Sequence, residues 1–221
     1  MKLPISQRLL ACAEFVKPGE KVADIGCDHG YLSIYLLRNG ICPSVIAADV
    51  RQQPLLSAVR NAKKYGVSDK IQFYLSDGVQ NVPRDFDCLI CAGMGGDTMI
   101  SILEAAPWLQ NQSYRLILQC QSKAPMLRRY LSNCGWHIAE EAVLRDGKFL
   151  YTVMAISWCP THPKLTVGQR DFPPAWLEKP RPEVKAYYAW VLRLVQTAVA
   201  HRPTEELQSA LQELLQMEDM L

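Results

Sequence analysis

No apolar run in this 221-residue chain is long enough to span a bilayer; the longest candidate, residues 186–200, is interrupted by Arg193, Gln196 and Thr197. A disulfide framework is missing too. The eight cysteines are scattered, several within apolar strands, as in proteins of a reducing compartment, and a cytoplasmic location is expected. Cys88 and Cys91 stand three apart in a strand, so their side chains point to opposite faces. Cys159 and His162 are half a zinc site without a second half, and no metal is expected. The Leu-Leu-Ala-Cys run ending at Cys12 imitates a lipoprotein box, but Arg8 stands directly before it and no apolar stretch precedes it, so no signal peptide is expected. Net charge is small, +2. Its distribution is uneven: residues 203–221 hold Glu205, Glu206, Glu213, Glu218 and Asp219 but no Lys or Arg, leaving a basic body. Such a body suits a polyanionic substrate, although a solvated surface has the same composition.

What is present is an alternation. Predicted strands at 21–25, 44–48, 71–75, 87–91 and 115–120 are separated by predicted helices at 31–38, 55–65, 98–105 and 126–134, after a first amphipathic helix at 6–16 capped by Ser6. Two further strands, 137–143 and 150–158, are joined by a turn too short for a crossover helix, so they pair antiparallel. Parallel βα units closed by a hairpin make a seven-stranded α/β sheet with one reversed strand, the Rossmann-like layout of class I methyltransferases. Residues 1–158 form this domain. Pro160, Pro163, Pro173, Pro174, Pro180 and Pro182 mark residues 159–182 as a stiff linker. Beyond it, Val184, Tyr187, Val191, Leu194 and Ala198, then Leu207, Ala210, Leu214, Met217 and Leu221, repeat at three and four residues, which predicts an antiparallel helical hairpin in a monomer or weak dimer.

The first βα loop carries the sharpest chemistry. It reads G-C-D-H-G over residues 26–30, with Asp24 before it and Asp28 inside it. A dinucleotide loop reads G-x-G-x-x-G and lays a pyrophosphate on a helix N-terminus. Two carboxylates repel a pyrophosphate but suit an ammonium and a sulfonium, so the loop favours S-adenosylmethionine over NAD. Asp49, at the end of the second strand, is placed to accept both ribose hydroxyls; Asp77, with Gly78, is placed to receive an adenine amine. Asp49 is equally suited to a helix cap, and Asp77-Gly78 to an ordinary turn. After the fourth strand, residues 92–96 read A-G-M-G-G and Asp97 follows. Three glycines leave backbone groups open to whatever lies beside the transferred methyl.

Together D-I-G-C-D-H-G-Y-L (24–32), A-D-V (48–50), Asp77-Gly78 and A-G-M-G-G (92–96) resemble the bacterial TrmK-type family, the tRNA (adenine-22, N1)-methyltransferases. The resemblance extends over residues 2–221, C-terminal hairpin included; Cys27 and Gly30 depart from it, standing where threonine and alanine are expected. It implies S-adenosylmethionine held by Asp24, Gly26, Cys27, Gly30, Asp49, Val50, Asp77, Gly78, Gly93 and Met94. It implies tRNA contacts at Gly95, Gly96 and Arg8, the last matching the family's opening. Asp28, His29 and Asp97 are the polar residues expected to flank the target base. In the C-terminal part, Lys164, Arg170, Lys179, Arg181, Lys185 and Arg193 outnumber Asp171, Glu178 and Glu183, and Arg181 and Lys185 are expected on the tRNA backbone. The alternative function is methyl transfer to another RNA, a protein or a small molecule. A noncatalytic cofactor-binding module and a nicotinamide oxidoreductase are weaker rivals, because the loops at four strand ends are intact and the middle glycine of a dinucleotide loop is absent.

Overall fold

The most apolar segments build the centre of the sheet. β1 (Val22–Ile25) and β2 (Val45–Asp49) are buried along their whole length, the signature of parallel strands covered on both faces. In the computed structural model, which describes residues 3–178 and 180–221, β3 (Ile71–Leu75), β4 (Cys88–Gly95), β5 (Arg115–Ser122), β6 (Trp136–Asp146) and β7 (Phe149–Trp158) complete one sheet of order β3-β2-β1-β4-β5-β7-β6. β7 runs antiparallel to both neighbours and every other pair is parallel, as the hairpin argument expected. Lys2, Lys179 and the side chain of Asp219 lie outside the described residues.

Helices α1 (Gln7–Glu14), α2 (Tyr31–Arg38), α3 (Gln52–Lys64), α4 (Gly96–Glu104) and α5 (Ala124–Asn133) flank the sheet. Two apolar layers result. Cys91 belongs to the layer of Met99, Leu103 and Leu127, and Cys88 to that of Cys12, Ile34 and Ala62, so the two cysteines do occupy opposite faces. Ser6 precedes α1 with extended backbone, but its hydroxyl is buried and makes no cap bond; the cap expected there does not form.

The C-terminal third departs from the stiff linker expected at 159–182. That segment folds into α6 (Val167–Asp171), opened by a capping box from Thr166 and Gln169, and a 3-10 turn at Pro174–Glu178. Phe172 and Trp176 are buried with Leu177 against Val143 of β6, because these apolar side chains outweigh the stiffness of the prolines around them. α7 (Pro182–His201) and α8 (Glu205–Met217) form the expected pair of helices, held by Val184, Tyr187, Tyr188, Val191 and Val195 against Ala210 and Leu214. The predicted seam is wrong at one place: Leu194 is 50% exposed, and Val195 takes the buried position. The hairpin is fastened to the sheet domain by Arg128 of α5, fully buried, whose guanidinium bonds Glu141 of β6 at 2.6 and 3.0 Å and lies under the rings of Trp176 and Tyr187. Acids of α8 are used within the chain: Glu206 pairs with Arg170 and Arg129, and Glu213 accepts from Thr166 and from the Gly168 N–H.

Candidate active site

The carboxyl ends of β1, β2 and β4 converge at the point where strand order reverses from β1 toward β2 on one side and β4 on the other. The β1 loop is pinned there by its own backbone: the N–H groups of Gly26 and Cys27 both donate to the Ala48 carbonyl, at 2.8 and 2.9 Å. Gly26, Asp28 and Gly30 all have positive φ, 74°, 49° and 72°. The glycine at 30 has its own reason, since a Cβ there would stand 3.0 Å from that of Ala58 on α3. An alanine, expected at this position, would be strained twice over.

Each acid of the loop region has a different environment. Asp24 is 3% exposed and accepts the Ser33 hydroxyl at 2.6 Å. Burial pushes its carboxyl up to about 6, opposed by the Ser33 hydroxyl and N–H and aided by the charge of Asp49. Asp49 is also buried, but both its oxygens accept backbone N–H groups, from Asp28 at 3.0 Å and Arg51 at 2.9 Å. Asp28 is exposed, with His29 Nε2 3.8 Å from its carboxylate. The His29 carbonyl accepts from Asn61.

Two cavities open beside these groups. One, of about 310 Å³, is lined by Arg8, Asp24, Gly26, Asp28, Asp49 and Gly93, among others. The other, of about 190 Å³ and mostly apolar, is lined by Asp77, Gly78, Thr98, Ser101 and Ile102. Gly26, Val50 and Met94 wall both. The Met94 side chain packs against Gly26, in the space a Cβ there would take, so only glycine fits beside it. Arg8, expected at the RNA, lines the more polar cavity, and its Nε is buried without a hydrogen-bond partner among the described residues.

Buried carboxylates, a guanidinium whose Nε has no partner among the described residues and an adjoining apolar slot fit an amphoteric amino acid joined to an adenosine. The family profile described as a methyltransferase domain matches residues 5–154. The chain belongs to that family. It is 33% identical over 154 residues to the tRNA (adenine(22)-N(1))-methyltransferase of Bacillus subtilis, an alignment covering 69% of this chain and 65% of the relative. The crystal structure of the B. subtilis M1A22 tRNA methyltransferase TrmK superposes with a TM-score of 0.80 at 26% identity, covering 99% of this chain and 97% of that one. A Streptococcus pneumoniae protein crystallised with S-adenosyl-L-methionine gives 0.83 at 29% identity, over 96% and 98%. The TrmK-type resemblance read from the four loops therefore holds, and over nearly the whole chain for the solved structures.

In this family member the glycine run is not a free loop. β4 continues through it to Gly95, pairing Met94 with Cys120 and Gly95 with Ser122 across two register shifts. Gly93 (φ 78°) donates its N–H to Gln119, and Gly96 is buried with the Lys123 carbonyl 2.9 Å from where its Cβ would lie. Asp97 pairs with Lys123, the residue before α5, and, like His29, lines neither cavity. Arg181 and Lys185 are exposed at the start of α7. Among the described residues there is no group of three or more potential metal ligands, and no helix is long and apolar enough to cross a membrane. Sequence reasoning missed Ser33, Gln119 and Lys123. Gln119 carried a signal: it is a polar residue within the apolar stretch 116–120 of β5, and it is fully buried.

Proposed function

We propose that this chain transfers the methyl group of S-adenosylmethionine to N1 of adenosine 22 in tRNA. The observation that carries the reading is the pair of cavities meeting at Met94, with a glycine-rich strand end beside them. The likeness to the B. subtilis enzyme supports it as well, although the aligned region spans only about two thirds of that curated relative. In this reading Asp24 and Arg8 face the ammonium and carboxylate of the donor's amino acid. Asp49 keeps lone pairs free for the ribose hydroxyls, Asp77 and Gly78 border the adenine, and Gly26, Cys27, Gly30, Val50, Gly93 and Met94 shape the walls. When bound, the donor supplies an electrophilic methyl on a sulfonium.

The residues of the chain have a modest chemical task. N1 of adenine holds a lone pair that is free at neutral pH, so no strong base is required, only in-line placement. Base pairing covers N1, so the nucleotide must be unpaired or flipped. The ring becomes cationic on methylation, and Asp28, exposed at the cavity mouth with His29 beside it, stabilises that charge electrostatically. Gly95 leaves room for the base, and Gly96 lets the backbone beside it pack against the Lys123 carbonyl. Asp97 is committed to Lys123 and acts on the substrate side through that lysine.

Residues 1–158 carry the donor site, and 159–221, with Arg181 and Lys185, contribute to docking the tRNA. The protein works in the cytoplasm as a monomer or weak dimer, which sedimentation at micromolar concentration checks. The functional test is methyl transfer from labelled donor to transcripts carrying adenosine or guanosine at position 22; equal labelling of both would refute the assignment.

A further inference from the structure

A second surface borders the end of the glycine run, and it shares no lining residue with the two donor cavities. A groove of about 670 Å³ lies between the β6–β7 tip, α7 and the end of β5. Three cations line it, Lys123, Arg145 and Lys148, together with three aromatic rings, Phe149, Tyr151 and Trp190, and no carboxylate is among its lining residues. Arg145 and Lys148 form no ion pair with a described residue, and Lys123 has Asp97 alone. Two of the rings are held out in solvent, Phe149 at 55% and Trp190 at 48% exposure. The Lys148 ammonium lies 5.3 Å from the Phe149 ring centre, and Trp190 is braced edge-on by buried Tyr187 at 5.3 Å.

The groove adjoins the end of the glycine run. Ser122, in its wall, pairs with Gly95 in the sheet register, and Lys123 holds Asp97. Gly93 and Met94, just before Gly95 in the same strand, wall the proposed donor cavity. A strand end only a few residues wide therefore separates the two spaces.

We infer that this groove holds the RNA strand adjoining the target adenosine, with Lys123, Arg145 and Lys148 on its phosphates and Phe149 and Trp190 stacked on unpaired bases. The inference rests on the methyltransferase reading above and adds a binding surface to it. Cations interleaved with exposed rings are what a flexible polyanion with flat bases requires, since stacking is indifferent to base identity and phosphates need only positive charge. A second copy of the chain or an apolar peptide would find three unpaired or singly paired charges to desolvate there. The groove differs from the Arg181 and Lys185 face, which lies on a neighbouring stripe of α7; Ala186 and Trp190 are the α7 residues that line it.

The test uses the full-length protein and unmodified tRNA. In Arg145→Glu/Lys148→Glu, tRNA affinity by fluorescence anisotropy and KM for tRNA should each worsen about tenfold or more. The plot of log affinity against log salt should flatten by about one to two. Phe149→Ala/Trp190→Ala should weaken tRNA binding to a similar extent with the salt slope unchanged, and Phe149→Trp/Trp190→Phe should restore it. S-adenosylmethionine affinity and melting temperature should hold in all three, because the altered side chains are exposed. Unchanged tRNA affinity in both loss-of-contact variants overturns the groove, even where the wild type methylates tRNA. Wild-type protein that binds tRNA through the groove without methylating it sinks the proposed function and leaves the groove standing.

Discussion

The backbone N–H of Asp28 donates to the carboxylate of Asp49, 3.0 Å away, fastening the first loop of the sheet to the end of its second strand. One carboxylate thus shapes the loop and is placed at the proposed ribose position. Asp49→Ala should weaken S-adenosylmethionine and S-adenosylhomocysteine by about 1–3 kcal/mol in calorimetric titration, the scale of losing a hydrogen-bonded charged group. NAD should not bind the wild type. Arg8→Ala should likewise weaken the donor while KM for tRNA at saturating donor holds; the reverse pattern would assign Arg8 to the RNA.

Asp24 predicts a pH dependence. Its carboxyl is raised by burial to about 6, so the neutral form suits the empty fold, and its contribution to stability is fully present below the unfolded value near 4 and lost as pH rises through about 6. A donor ammonium favours the ionised form. Donor binding should therefore release a proton at pH 5 and weaken as pH falls below about 6. Calorimetry in buffers of different ionisation heat reads this directly, and Asp24→Asn should abolish the proton release.

Gly95→Val separates donor binding from transfer. Its side chain would enter the proposed base site and also crowd the Ser122 hydroxyl, 3.0 Å from the new Cβ. The expected result is lost transfer with donor affinity kept, and a stability loss of about 1–3 kcal/mol, the usual range for overpacking. Loss of donor affinity to the same degree would assign the glycines to the donor instead.

The course of the chain through the sheet was legible because β1, β2, β4 and β5 are nearly continuous apolar runs and the 137–158 hairpin has no room for a crossover. The acids of the proposed donor site stood out in the sequence because they fall at successive strand ends. The C-terminal third was less so. Six prolines argued for a stiff, unpacked linker, while Phe172 and Trp176 pack in a small core whose other wall, Val143, is remote in sequence. Leu194 fits the three-four repeat yet faces outward, since the helix buries its stripe against β6 as well as α8. Asp97 and Lys123 stand 26 residues apart, and only the side-by-side pairing of β4 and β5 brings them together.

Arg128 should prove the fastening of that third. Arg128→Met strands Glu141 in a buried site where burial already raises its carboxyl, and should cost about 3–5 kcal/mol in denaturant unfolding. Adding Glu141→Leu should recover most of it. If the single variant were neutral, the hairpin would be held by its apolar contacts alone.

The central claim is transfer to N1 of one adenosine, and the most direct measurement is mapping the product on tRNA incubated with protein and S-adenosylmethionine. Mass mapping of nuclease fragments locates the added methyl, and reverse transcription distinguishes its atom, because a methyl on N1 blocks Watson–Crick pairing and one on N6 does not. The account predicts a single added methyl at adenosine 22 with a strong stop there. A methyl on another nucleotide, read-through at position 22, or no methylation of tRNA would contradict it.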